Sequence, residues 1–164
     1  MFRFLLWIAP VLVLSSPASA QLQAKTFEEL FQSLGNTITD AAAKDQIQLA
    51  LSRIQMAVCE GSRPCNPATP EEIAQPPISV IDGRAAMVFG IQSAFAQWCG
   101  LDSRRGFLPM IVFGKGKMKM SDRQVHLMTL IHGDFRSRQL KLYQDRGQCP
   151  ATLREQLDTL LPKM

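Results

Sequence analysis

The chain has 164 residues, a formal net charge of +4 and four cysteines. Setting aside a leader of twenty residues leaves 144, enough for one domain with a hydrophobic core. The leader's apolar run falls short of the about 20 residues a membrane span needs, and no Asn-x-Ser/Thr acceptor occurs, which favours a bacterial periplasm over a eukaryotic secretory route.

Residues 1–20 read as a signal peptide. Arg3 supplies the positive start, Phe4 to Leu14 the apolar run, and Ala18-Ser19-Ala20 the small-residue cleavage site. The mature chain is expected to begin at Gln21, in the periplasm or, alternatively, secreted, as a single domain over residues 21–164. No cysteine follows the cleavage site, which argues against a lipoprotein.

Thr26-Phe27-Glu28-Glu29 predicts a capped helix that stops at Gly35. A second helix is expected from about Thr39 to Glu60, with Ile47, Leu51, Ile54 and Val58 on one stripe. Five prolines between Pro64 and Pro77 then predict a surface loop holding one helical turn near Glu71–Ala74. Ser79 to Leu101 is the hydrophobic centre. Val80, Ile81, Met87, Val88, Ile91, Phe95 and Trp98 share one side. Ala86, Gly90, Ser93 and Ala94 lie opposite and permit close approach of another helix. An almost wholly apolar helix holding Gln92, Ser93 and Gln97 fits a bundle core better than a membrane.

Arg104–Phe113 is a short helical segment in which Pro109 sets a kink or a start. Gly114–Met120 reads as a loop. Ser121-x-x-Gln124 opens a helix to about Gln144 with Leu127, Met128, Ile131, Phe135 and Leu142 on its stripe. After Gly147, Pro150 takes the first position of a last helix bearing Leu153, Leu157, Leu160 and Leu161. No segment alternates apolar and polar residues over a strand's length. The expected fold class is all-α: a small disulfide-stapled helical bundle of about five helices.

An even cysteine count in an oxidising compartment predicts two disulfides, and the favoured pairs are Cys59–Cys65 and Cys99–Cys149. The spacing is neither the Cys-x-x-Cys of thiol oxidoreductases nor the paired short spacing of a zinc ribbon.

Charge is segregated. Residues 21–103 hold five basic and nine acidic residues, a net of −4, whereas residues 104–146 hold ten basic and three acidic, a net of +7. The basic stretch predicts contact with an anionic partner through Arg104, Arg105, Lys115, Lys117, Lys119 and Arg123. That partner is a phospholipid, lipopolysaccharide, a cell-wall polymer or an acidic protein. Nucleic acid is not expected, because no groove-reading motif or interleaved aromatics accompany the charge. The bland alternative is a solvated face, or attraction to the chain's own acidic half.

His126 and His132 stand about 240° apart on a helix and share no face, so they make no helical metal pair. His132 falls in the apolar stripe and reads as a hydrogen-bonded core residue. His126 has Asp122 one turn before it but no nucleophile placed beside it by sequence. Glu28-Glu29 and Glu71-Glu72 read as helix-start charges. Met118-x-Met120 hints weakly at soft-metal binding, and with Phe113 and the lysines it suits an anionic membrane surface. No cofactor, metal or catalytic residue is expected. The leading expectation is a non-enzymatic exported binding or scaffold protein of the cell envelope. The alternatives are a chaperone with an apolar client groove, and an enzyme with a site near His126 and Asp122.

Overall fold

A computed structural model of the chain describes residues 26–59 and 62–163. The leader, residues 1–20, and its cleavage site lie outside the described residues. Among the described residues there are seven α-helices: α1 (Phe27–Asn36), α2 (Asp40–Ser52), α3 (Pro70–Ala74), α4 (Val80–Trp98), α5 (Arg104–Val112), α6 (Asp122–Gln144) and α7 (Ala151–Leu160). The protein is all-α and carries two disulfides, Cys59–Cys65 and Cys99–Cys149, the pairs expected from the loop lengths. The helical turn expected near Glu71–Ala74 and the short segment expected over Arg104–Phe113 appear as α3 and α5, which brings the described helices to seven rather than about five. Among the described residues no helix is long and apolar enough to cross a membrane.

Small hydroxyl residues start most of these helices. The side-chain oxygens of Thr26, Thr39, Thr69, Ser79 and Ser121 each accept a hydrogen bond from the backbone N–H three residues on. Each satisfies a donor that the first helical turn leaves without a partner. Thr69–Glu72, Ser79–Asp82 and Ser121–Gln124 make the reciprocal bond as well.

α4 is the axis of the molecule and touches α1, α2, α5, α6 and α7. Every residue from Ala86 to Ala96 is buried. The small-residue side does what its composition predicts. A Cβ on Gly90 would stand 2.8 Å from the carbonyl oxygen of His132, so the glycine lets α4 and α6 cross backbone to backbone. A Cβ on Gly106 of α5 would meet the Ser93 nitrogen at 2.7 Å, a second close crossing. At the far end Phe95 stacks on Tyr143 with ring centroids 4.3 Å apart, and the Trp98 Nε1–H donates to the Gly147 carbonyl at 2.8 Å.

Several expectations need correction. α2 stops at Ser52 rather than near Glu60. A 3₁₀ turn over Ile54–Met56 follows, then an isolated antiparallel bridge between Val58 and Pro64. Bringing Cys65 back to Cys59 takes a chain reversal in extended backbone, which a helix through Cys59 would forbid. The expected loop at 114–120 contains a π-helical turn over Phe113–Lys117, closed by the Met118 N–H donating to the Phe113 carbonyl at 3.1 Å. Ile81 and Leu142, placed on apolar stripes, are exposed, because each points away from the side on which its helix end is packed, as buried Gly83 and Tyr143 mark. Pro150 is the residue before α7 rather than its first residue.

Candidate functional site

The side of α4's first turn that bears Ile81 is left uncovered, and the result is a groove. Phe31 of α1, Ile81, Ala85 and Phe89 of α4, Pro109 of α5, Phe113, Met118 and Met120 of the following turn, and Met128 of α6 enclose about 450 Å³. That volume falls within the range of small-ligand sites. Asp82 is the one charged side chain in the lining, and its carboxylate is already bonded to the Ser79 N–H and hydroxyl in the helix cap. Three of the lining residues are methionines, whose unbranched thioether chains adapt to irregular apolar shapes.

The segment that walls the groove also carries the lysines. Lys115, Lys117 and Lys119 lie among Phe113, Met118 and Met120 in this segment. The Lys117 ammonium lies 6.0 Å from the centroid of the Phe113 ring, which puts a positive charge at the groove's edge. Lys115 is ion-paired with Asp122, whose carboxyl is held below its ordinary range mainly by that lysine's hydrogen bond. Lys119 adopts a left-handed backbone, φ 53°, at the end of the turn.

The other candidate cations do not all face a partner. Arg105 is buried. Its guanidinium donates to the Pro162 carbonyl at 2.8 Å, to the Asp158 and Leu161 carbonyls at 2.7 Å, and to the Asp158 carboxylate. It fastens the C-terminus to α5, and that internal use removes it from the candidate surface. Arg123 is likewise consumed. It grips the Glu72 carboxylate and the Asn66 and Pro67 carbonyls, pinning the proline-rich loop to α6. The Arg123 hydrogen bond is the main cause of a lowered Glu72 pKa. This pair joins the basic and acidic parts of the chain, the alternative reading of the charge segregation. Arg104 stays exposed in a local pair with Asp102. Among the described residues, Lys117 and Lys119 are the two members of the six that make no ion pair.

His132 sits where the apolar stripe predicts, buried between α4 and α5. The Ser93 hydroxyl donates to the Ser103 carbonyl at 3.0 Å, so the 2.8 Å contact of Ser93 Oγ with His132 Nε2 is an N–H donated by the imidazole. A hydroxyl already donating to a carbonyl, with an imidazole donating to it, is not an activated nucleophile. Burial, with Arg136 adding its charge, pushes the His132 pKa down to about 4.

His126 has a neighbour that its sequence surroundings do not announce. A ring nitrogen of His126 and the sulfurs of Cys59 and Cys65 lie within 4.8 Å of one another. A cavity of about 390 Å³ opens beside them, lined by Cys59, Arg63, Pro64, Asn66, Asp122 and Arg123. Both assemblies escaped the sequence reading for one reason: their members come from elements far apart in the chain. The Phe113–Met120 segment, with its aromatic, methionines and lysines, carried the local signal for the groove. No protein-family model, curated protein or solved structure matches the chain.

Proposed function

We propose that this protein is a non-enzymatic, exported binding protein of the cell envelope. In this reading it takes the acyl chain of an anionic amphiphile into the groove between α1, α4, α5 and α6. The anionic head, phosphate or carboxylate, meets Lys117 and Lys119. The periplasm is the proposed compartment, supported by two disulfides and by the apolar, small-residue-terminated leader in the sequence. One observation carries the reading: a single short segment, Phe113–Met120, supplies apolar wall and positive edge to the same 450 Å³ groove. Phospholipid and lipopolysaccharide share this chemistry. A cell-wall polymer has anionic charge but nothing to fill an apolar groove.

Calorimetric titration tests the proposal with two probes of equal chain length. Laurate, which has a charge, is expected to bind at least tenfold more tightly than dodecyl maltoside, which has none, and Phe113→Asp is expected to abolish binding of both. Equal binding of the two probes favours the second reading, a chaperone groove for apolar client segments, for which the methionine lining is the supporting feature. No binding of either probe removes both readings. An enzyme centred on His126 and Asp122 is tested separately: His126→Ala then abolishes the biological function while leaving laurate binding intact.

A further inference from the structure

The Cys59–Cys65 loop lies against His126, and the three side chains form a donor set of a recognised kind. Two thiolates and an imidazole are the ligands of Cys₂His zinc sites, in which a fourth position stays open for water or substrate. The two cysteines come from a reversal between α2 and α3 and the histidine from the second turn of α6. Their ligand atoms already lie within 4.8 Å of one another. Tetrahedral thiolates with zinc–sulfur bonds of about 2.3 Å stand about 3.8 Å apart. Opening the disulfide and spreading the sulfurs therefore needs a shift on the scale of a bond length. The cavity lined by Cys59 and Asp122 gives solvent access on the open side.

We propose that the Cys59–Cys65 disulfide is a reducible lock on a zinc site formed by Cys59, Cys65 and His126. In the oxidised protein the sulfurs are bonded to each other and hold no metal. A dithiol reductant delivers two electrons and two protons to the S–S bond and is itself oxidised to a disulfide. Zn²⁺ then displaces the two thiol protons to water and binds two thiolates and the His126 imidazole, with water in the fourth position. Cys59 is the sulfur that the reductant attacks, because it is the one that lines the cavity, and Cys65 leaves as the thiolate.

This loop can open without loss of the fold. The reversal is held independently by the Cys59 N–H donating to the Arg63 carbonyl at 2.8 Å and the Cys65 N–H donating to the Ala57 carbonyl at 2.9 Å. Just beyond Cys65, Arg123 of α6 holds the Asn66 and Pro67 carbonyls. A metal taken up here leaves the groove untouched, so this inference stands apart from the proposed ligand binding.

Cobalt(II) is the probe, since its thiolate charge-transfer absorption reports sulfur ligation directly. The protein is reduced with a phosphine, desalted without oxygen and titrated with Co²⁺, and peptide mass mapping records which disulfide has opened. Cys59–Cys65 is expected to open first. The reduced protein should bind one Co²⁺ with a near-ultraviolet thiolate band that Zn²⁺ abolishes, and the oxidised protein should show no band. His126→Gln, with unchanged helical circular dichroism, should weaken the affinity at least tenfold. His126→Cys should restore it with a stronger thiolate band. Opening of Cys99–Cys149 first, absence of the band from reduced protein, or equal affinity in His126→Gln overturns the proposal.

Discussion

The two disulfides have the same chemistry and opposite circumstances. Cys99–Cys149 spans 50 residues, joining the end of α4 to the approach to α7 beside the stacked Phe95 and Tyr143 rings. Cys59–Cys65 spans 6 residues and closes a reversal that backbone hydrogen bonds already close. A crosslink limits the unfolded chain more as its loop lengthens. The long one is therefore a fastener of the bundle. The short one constrains the unfolded chain less, and it lies between a cavity and an imidazole. The two histidines repeat the contrast. His132 is sealed in the core near the long disulfide's helices, and His126 lies over the short one.

The sharpest break of this comparison is to remove each crosslink in turn. Replacing Cys99 and Cys149 by alanine is expected to cost about 4 kcal/mol, and replacing Cys59 and Cys65 about 2 kcal/mol or less, on loop-entropy grounds. Urea midpoints of the two double variants check this. Equal losses would show that the short loop is as much a fastener as the long one.

Acid tests the buried histidine. An unfolded histidine titrates near 6.5, whereas His132 in the fold is held at about 4 by burial and by Arg136. Between those values the unfolded chain binds a proton that the folded chain refuses. Stability therefore falls as pH drops through that window, by up to about 3 kcal/mol in all. The carboxylates of Glu72, Asp122 and Asp158, held low by their cationic partners, lose stabilisation only as the pH falls below the ordinary carboxylate range. Denaturation midpoints between pH 6.5 and 4.5 should slope in the wild type and flatten in His132→Gln. A slope that survives in His132→Gln assigns the acid sensitivity elsewhere.

The same division runs through the arginines. Arg105→Ala strands the carbonyls of Asp158, Leu161 and Pro162 at the C-terminus, with an expected loss of about 2–3 kcal/mol. Arg104→Ala removes one exposed local pair and should leave the urea midpoint where it is. Matching midpoints for the two variants would mean that the C-terminal clasp does not hold in solution.

How much of this was legible in the sequence follows from how local each signal is. Capping residues, the charge-free centre of α4 and the small-residue side bearing Gly90 are local, and the helices and their closest crossing follow from them. The end of α2 was missed because Ile54 keeps the helical period while the chain turns: it is buried in a 3₁₀ turn instead. The adjacent arginines Arg104 and Arg105 look alike in the sequence. Only the returning C-terminus, about 55 residues later, makes one of them structural. The groove depends on which helix ends remain uncovered, and the Cys59–Cys65–His126 cluster on a loop folding back over α6. Both are facts of tertiary arrangement that no window of sequence contains.

The smallest expected change in stability tests the largest functional claim. Lys117 and Lys119 make no ion pair among the described residues, and Lys119 holds a left-handed backbone that no side-chain bond repays. Lys117→Glu with Lys119→Glu therefore removes no stabilising contact beyond the Lys117–Phe113 approach, and the urea midpoint should not move. Laurate affinity is expected to fall at least tenfold, while dodecyl maltoside binding, which uses only the apolar wall, stays the same. The loss should shrink as salt is added, because charges at an exposed edge are screened. Reversing Lys115 in the same way makes the control, since that lysine is occupied by Asp122 and its effect on laurate should be the lesser one. If the Lys115 reversal is the more damaging of the two, the positive edge of the groove lies at the foot of α6 rather than over Phe113.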